Sequence, residues 1–109
     1  MALKDGFPIS RGHTLIVPNR HIKCLFDLDV AEYRAIWDLV ARMQKMLTAE
    51  YQPDGFNVGL NEGYAAGQTI MHAHVHLIPR FLGDIKDPRG GVRWVIAHKA
   101  VYWDEESNH

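Results

Sequence analysis

The chain has very little cysteine, since Cys24 is the only one in 109 residues. A single thiol excludes an internal disulfide and any zinc site built from several cysteines. Such a composition is typical of proteins in a reducing compartment, and we expect a cytoplasmic location.

An excess of charge of either sign is also absent. The chain carries 12 lysines and arginines against 13 aspartates and glutamates, so its formal net charge is −1. A chain this close to neutral has no general electrostatic attraction for nucleic acid or for an anionic membrane surface. We therefore expect neither of these as a partner.

Long apolar runs, internal repeats and interdomain linkers are missing as well. No stretch approaches the roughly 20 apolar residues that a membrane-spanning helix needs, and no apolar signal region follows Met1. The hydrophobic share of 47% is ordinary for a globular chain. The sequence predicts one domain over residues 1–109, with a loop-rich tail from about residue 81.

One segment, residues 29–50, has the pattern of a long helix. Asp29 followed by Glu32 is a capping box at its start. Pro53, Asp54 and Gly55 end it and turn the chain. Six apolar residues at helical spacing predict a stripe that packs on a sheet: Tyr33, Ile36, Trp37, Val40, Met43 and Leu47.

Several stretches predict strands. The run from His13 to Pro18 contains the continuous apolar residues Leu15, Ile16 and Val17 and ends in proline, which is typical of a buried strand. Residues 56–61 alternate, and Asn57, Gly59 and Asn61 would face away from the helix. Residues 92–96 predict a short final strand.

The most informative stretch runs from Gln68 to Arg80. Alternate side chains of a strand share one face, so His72, His74 and His76 would form a row with a spacing of about 6.6 Å. The intervening Ala73, Val75 and Leu77 would face the core.

Three interpretations of this row are open. The histidines could be a solvated strand face, they could bind a metal ion, or one could act as a nucleophile with its neighbours as proton donors. Against a metal site, no carboxylate lies in the histidine strand or soon after it, and Cys24 is far away in the sequence. The metal interpretation is therefore less favoured, and no metal ligand is assigned. A neutral imidazole could instead attack an electrophilic centre such as phosphorus.

The segment His72-Ala73-His74-Val75-His76-Leu77-Ile78 matches, at every position, the His-φ-His-φ-His-φ-φ signature of the histidine triad (HIT) family, in which φ is apolar. Asn61-Glu62-Gly63 and Gly67-Gln68-Thr69 resemble the family's phosphate loop. Gly12 to Pro18 resembles an earlier strand of the family. The resemblance extends over roughly residues 3–96.

The resemblance implies an α+β fold with an antiparallel sheet of about five strands and one long helix, shortened at the N-terminus. Family members usually carry another strand, and often a helix, that help to line the base pocket. Either the nucleoside pocket is more open here, or the chain starts at a late methionine. The resemblance also implies a homodimer in which two sheets join edge to edge.

The family pattern implies roles for individual residues. His74 would attack the α-phosphorus of a nucleotide, His76 would protonate the leaving group, and His72 and His13 would support this network. Asn61, Gln68 and Thr69 would donate to phosphate oxygens. Asp5, eight residues before His13, either accepts hydrogen bonds from the ribose hydroxyls or is a turn residue beside Gly6.

The implied activity is hydrolysis at the α-phosphate of dinucleoside polyphosphates through a nucleotidyl-histidine intermediate, with closest resemblance to a bacterial branch of such hydrolases. A purine nucleoside phosphoramidase and a non-catalytic nucleotide-binding sensor are the alternatives. No cofactor is expected to be required, although a divalent metal could accompany a polyphosphate substrate. In the tail, Arg89 or Arg93 either meets a distal phosphate or faces solvent.

Overall fold

Four strands form one antiparallel sheet in the order β1-β2-β4-β3. The structure is a computed structural model that describes residues 1–104. The strands and the long helix are β1 (Ala2–Lys4), β2 (Thr14–Ile16), α1 (Val30–Tyr51), β3 (Gly55–Gly59) and β4 (Val75–Arg80). Short 3₁₀ turns lie at Leu25–Asp27, Tyr64–Ala66 and Gly91–Lys99. Residues 105–109, part of the predicted tail, lie outside the described residues.

The register of β2 with β4 assigns the two faces of the sheet. Ile16 lies opposite Val75, and Leu15 lies opposite His76. Ile16 and Val75 are fully buried under α1, whereas Leu15 and His76 share the other face. Burying an aliphatic side chain of this size contributes about 1.5–3 kcal/mol, so a shift of register by one residue is strongly disfavoured.

The core lies between the sheet and one face of α1. Its buried residues are Ile16, Leu25, Leu28, Ile36, Val40, Leu47, Ala73, Val75 and Leu77. The predicted apolar stripe of the helix is confirmed, since its remaining members Tyr33, Trp37 and Met43 pack against this cluster.

The predicted capping box at the start of α1 is also confirmed. The side chain of Asp29 accepts from the Glu32 amide at 2.8 Å, and the Glu32 side chain accepts from the Asp29 amide. Arg20 donates two hydrogen bonds to the Glu32 carboxylate. These bonds are the main cause that lowers the pKa of Glu32 to about 2. The chain after β2 is thereby joined to the start of the helix.

The histidine strand is shorter than predicted. Strand β4 begins at Val75, so His72 and His74 precede it. The reason is the length of its neighbour: β2 has three residues, and its ladder with β4 ends at the pair Ile16 and Val75. Before that pair, the Ala73 amide donates to the Ile22 carbonyl of a loop instead, at 2.7 Å.

The predicted final strand over residues 92–96 is wrong, and the sheet has four strands instead of about five. This stretch belongs to the 3₁₀ turn Gly91–Lys99, which is kinked at Ile96. Gly90 and Gly91 both have positive φ, and the Arg93 side chain donates to the carbonyls of Lys99 and Ala100 at 2.9 Å. These features hold the stretch as a 3₁₀ turn, so it does not adopt an extended strand.

None of the helices among residues 1–104 combines the length and the hydropathy that crossing a membrane would require.

Replacing Gly12 by alanine should destabilise the fold by about 2–4 kcal/mol. Gly12 has φ +84°, and an added Cβ would lie 2.8 Å from the Tyr51 ring and 3.2 Å from Pro79. Urea unfolding of Gly12→Ala and Gly6→Ala measures the difference, since an added Cβ at Gly6 meets nothing within 4 Å. Equal unfolding midpoints for the two variants would contradict this account of the Gly12 turn.

Candidate active site

Two cavities meet at His76 on the sheet face that is remote from α1. The first, the loop cavity, has a volume of about 360 Å³ and is lined by His74 and by residues of the loop before β4. The second, the apolar cavity, has a volume of about 530 Å³ and extends over β3. Asp5, Phe7, Asn61 and His76 line both cavities.

The geometry of His74 suits a nucleophile. Its Nδ1 lies 2.9 Å from the carbonyl oxygen of His72. A carbonyl can only accept, so Nδ1 carries the proton and Nε2 of the neutral ring keeps a free lone pair. The ring centroid lies 5.1 Å from that of His76, and His74 lines the loop cavity.

His72 lies behind the site. Its Nε2 donates to the Pro18 carbonyl at 3.0 Å, and its ring meets the exposed His21 edge-on with centroids 4.9 Å apart. His72 lines neither the loop cavity nor the apolar cavity. Within residues 1–104 its link to the site is its main-chain carbonyl, which orients His74.

A chain of hydrogen bonds fixes the proton of His76. The Ile9 amide donates to Nδ1 of His13 at 3.3 Å, so the proton of neutral His13 lies on Nε2. That Nε2 is 2.9 Å from Nδ1 of His76, to which it donates. We therefore assign the proton of neutral His76 to Nε2, where it is available to an oxygen of a bound molecule.

The Asp5 carboxylate stands beside this histidine pair. Its Oδ1 accepts from the Phe7 amide at 2.7 Å, which holds the turn. Its Oδ2 lies 3.4 Å from Nε2 of His13 and 3.9 Å from Nδ1 of His76. The turn role of Asp5 is therefore present, and its second oxygen faces the histidine pair.

Both histidines of the pair are less basic than usual. Burial is the main cause that lowers the pKa of His13 below 6.5, and Asp5 opposes it. Burial also lowers the pKa of His76, with further lowering by the neighbouring His74 and His13, again against Asp5. The pair is therefore neutral at pH 7, as the assigned hydrogen-bond chain requires.

The residues of the predicted phosphate loop divide into two groups. Gln68 is buried, donates to the carbonyls of Lys23 and Ile70, and accepts from the Gly63 amide. Both of its N–H groups are therefore used to hold the loop, and neither is left for a phosphate oxygen. The side chains of Asn61 and Thr69 line the loop cavity and are not hydrogen-bonded to other residues in the range 1–104.

Three groups could also hold a metal ion. One ligand atom each from Asp5, His13 and His76 lies within 4.8 Å of the others. A carboxylate and two imidazoles are a donor set that zinc accepts. Binding would replace the hydrogen bond from His13 to His76 by two metal–nitrogen bonds.

Sequence reasoning missed the residues that enclose the apolar cavity. Its apolar lining consists of Phe7, Ile9, Ile78, Val92 and Val95. The last two come from the stretch that was predicted to be a strand. The role of the Ile9 amide was missed too, because a main-chain donor leaves no signal in the residue type.

The tail arginines are engaged in the tail itself. Arg89 pairs with Asp87 and lies over the Trp103 ring, and Arg93 lies over the Tyr102 ring, each 4.6 Å from the ring centroid. The structure therefore uses both guanidinium groups to organise the tail.

The fold is of the α+β class. Its site places a row of histidines, in which Nε2 of His74 is unprotonated, beside a glycine-containing loop. The chain belongs to the HIT domain family, whose model matches residues 1–83. This match ends before residue 96, to which the sequence resemblance was extended.

Similar proteins include two that are named as hydrolases of dinucleoside polyphosphates. The chain is 35% identical over 80 residues to the asymmetrical bis(5'-nucleosyl)-tetraphosphatase of Schizosaccharomyces pombe, a match that covers 73% of this chain and 44% of that protein. It is 33% identical over 79 residues to the bis(5'-adenosyl)-triphosphatase of Dictyostelium discoideum, covering 72% and 53%.

Among solved structures, a HIT family protein from Bacillus anthracis aligns with a TM-score of 0.72 and 37% identity, covering 76% of this chain and 59% of that one. The chain spans about half the length of the curated relatives it matches.

Replacing Asp5 by asparagine should lower the pKa of His13 and His76 further, because the carboxylate is what opposes the effect of burial at both rings. Histidine ring signals followed by NMR as a function of pH measure the change. The protonation of both rings should move to lower pH. Asp38→Asn, on an exposed position of α1, is the control and should leave both titrations in place. A titration that stays fixed or moves to higher pH in Asp5→Asn would refute the assigned pair.

Proposed function

We propose that the chain is the catalytic part of a nucleotide hydrolase that acts at the α-phosphate of dinucleoside polyphosphates or related nucleotidyl compounds. The reaction would pass through a covalent nucleotidyl-His74 intermediate. The observation that carries the proposal is the 2.9 Å hydrogen bond from Nδ1 of His74 to the His72 carbonyl, which leaves Nε2 free beside the loop cavity.

In the first step, the lone pair on Nε2 of His74 attacks the α-phosphorus, and the bond from phosphorus to the bridging atom of the leaving group breaks. His76, protonated on both nitrogens in the substrate complex, gives its Nε2 proton to that bridging atom and becomes a neutral imidazole. His13 holds the other nitrogen of His76, so the ring is oriented for this transfer. His72 contributes through its carbonyl.

In the second step, water attacks the phosphorus of the intermediate and gives its proton to Nε2 of His76. The bond from phosphorus to Nε2 of His74 breaks and restores the free imidazole. Splitting one displacement into two lowers each barrier. Burial lowers the pKa of His76, which favours loss of the proton from its charged ring in the first step.

Neutral donors support binding of the phosphate oxygens. Asn61 and Thr69 line the cavity that contains His74, and both side chains are available there. Gln68 contributes indirectly by holding the loop. The free Oδ2 of Asp5 suits a pair of ribose hydroxyls, as a carboxylate oxygen accepts from both.

The names of two relatives direct the choice of substrate. One is a bis(5'-nucleosyl)-tetraphosphatase and the other a bis(5'-adenosyl)-triphosphatase. We propose substrates of the same class, with no metal required for the chemical steps because each is assigned to a side chain. A divalent ion bound to the polyphosphate would only neutralise part of the negative charge of the substrate.

We also propose that the protein is a homodimer located in the cytoplasm. Strand β3 is an edge of the sheet, and its outer main-chain groups can pair with a second copy of the strand. The single cysteine suits a reducing compartment.

Replacing His74 by glycine should reduce turnover of diadenosine tetraphosphate by on the order of 10⁴-fold or more, because the nucleophile is lost. Intact-protein mass spectrometry, in excess chelator, measures the intermediate directly. His76→Gln should accumulate one added AMP mass, since removal of the acid–base group slows resolution, and the double variant with His74→Gly should show none.

His98→Ala is the matched control, because this exposed histidine lies outside both cavities and its loss should leave turnover unchanged. Turnover retained in His74→Gly would exclude His74 as the nucleophile. A folded wild-type protein that binds nucleotide without turnover would favour the sensor alternative, and strict metal dependence would favour a metal site at Asp5, His13 and His76.

A further inference from the structure

We propose that the apolar cavity binds the base of the leaving nucleotide and that Val92 and Val95 of the C-terminal 3₁₀ turn form the wall that selects it. The inference rests on the proposed hydrolase function and extends it to the specificity of the leaving group. It concerns residues 91–99, which lie beyond the part of the chain that matches the family model.

The positions of the two histidines assign the cavity to the leaving group. A displacement at phosphorus places the attacking and leaving atoms on opposite sides. His74, the attacking group, lines the loop cavity but is not among the residues that line the apolar cavity. His76, the proton donor to the leaving group, lines both. The leaving group therefore departs past His76 into the apolar cavity.

The walls of this cavity suit a planar aromatic base. Phe7, Ile9, Val92 and Val95 all line it, and they are 91%, 75%, 65% and 80% exposed in the free protein. A cluster of exposed apolar side chains around one concavity is typical of a ligand site, and an aromatic side chain can stack on a base. The volume of 530 Å³ lies in the range of small-molecule sites.

A polar group at the cavity wall can orient the base. The Asn57 side chain accepts from Nη1 of Arg80 at 2.6 Å, which fixes its amide oxygen toward Arg80. Its amide nitrogen donates to none of the residues in the range 1–104. Those N–H groups can meet ring nitrogens or carbonyl oxygens of a base.

The 3₁₀ turn presents its two valines in a defined way. Residues three apart in a 3₁₀ helix lie on the same side, so Val92 and Val95 form one surface, whereas Ile96 falls at the kink. The turn is held by Arg93, which donates to two carbonyls, and by Trp94, whose Nε1 donates to the Arg89 carbonyl at 2.8 Å. The valine surface is thus fixed in position before any ligand binds.

The test compares two substrates that transfer the same adenylyl group. Diadenosine triphosphate has ADP as its leaving group, which carries a base, whereas adenosine 5'-phosphoramidate has ammonia. Replacing both Val92 and Val95 by serine should lower kcat/KM for diadenosine triphosphate by about tenfold, because apolar contacts with the base are lost. The same change should leave kcat/KM for the phosphoramidate within about twofold.

The matched control replaces Ile96 and Val101 by serine, since both are exposed and neither lines the cavity. This control should leave kcat/KM unchanged for both substrates. Val95→Ile, which restores and enlarges the wall, should keep or raise kcat/KM for diadenosine triphosphate. The assignment of the cavity to the leaving base would be overturned if both double variants had equal kcat/KM for diadenosine triphosphate. It would also be overturned if the Val92/Val95 variant lost kcat/KM equally for both substrates.

Calorimetric binding of ADP and of inorganic pyrophosphate separates this inference from the hydrolase proposal. If the wild type turns over neither substrate, the hydrolase proposal fails. Weaker ADP binding in the Val92/Val95 variant alone, with pyrophosphate binding unchanged, would then still support a base site. Equal ADP binding in both double variants would reject it. A change in molecular mass in solution, specific to the Val92/Val95 variant, would instead assign the surface to a second copy of the chain.

Discussion

The pairing of β2 with β4 is the constraint on which the rest of the structure depends. Its three pairs bury Ile16, Val75 and Leu77 against α1 and, by the alternation of a strand, place Leu15 and His76 on the opposite face. The same register brings His13, at the start of β2, to within 2.9 Å of His76. Core packing and site geometry are therefore two consequences of one ladder, and neither can change without the other.

The main chain fixes the protons of the imidazoles in the site that results. The His72 carbonyl leaves His74 with a free Nε2, and the Ile9 amide, through His13, leaves His76 with a protonated one. Burial keeps His13 and His76 neutral at pH 7 by lowering their pKa. One imidazole is thus prepared to attack and its neighbour to donate, without a charged group between them.

Sequence reasoning succeeded where side-chain type carries the information. The helix with its capping box at Asp29, the apolar stripe, and a strand over residues 56–61, found at Gly55–Gly59, could all be predicted from period and residue type. It failed at residues 92–96, whose β-branched composition favours a strand. There, hydrogen bonds from Arg93 and Trp94 to main-chain carbonyls of the tail outweigh the strand preference.

The order of residues by itself determined the family, the helix and the histidines of the candidate site, because these depend on alternation and on spacing along the chain. Only the tertiary structure decided which nitrogen of each imidazole bears its proton, that Asp5 faces the His13 and His76 pair, and that a turn from the tail encloses a cavity beside His76. Those properties depend on residues as far apart in the sequence as Ile9 and Val95, which line one cavity. Local sequence patterns do not predict which distant residues come together.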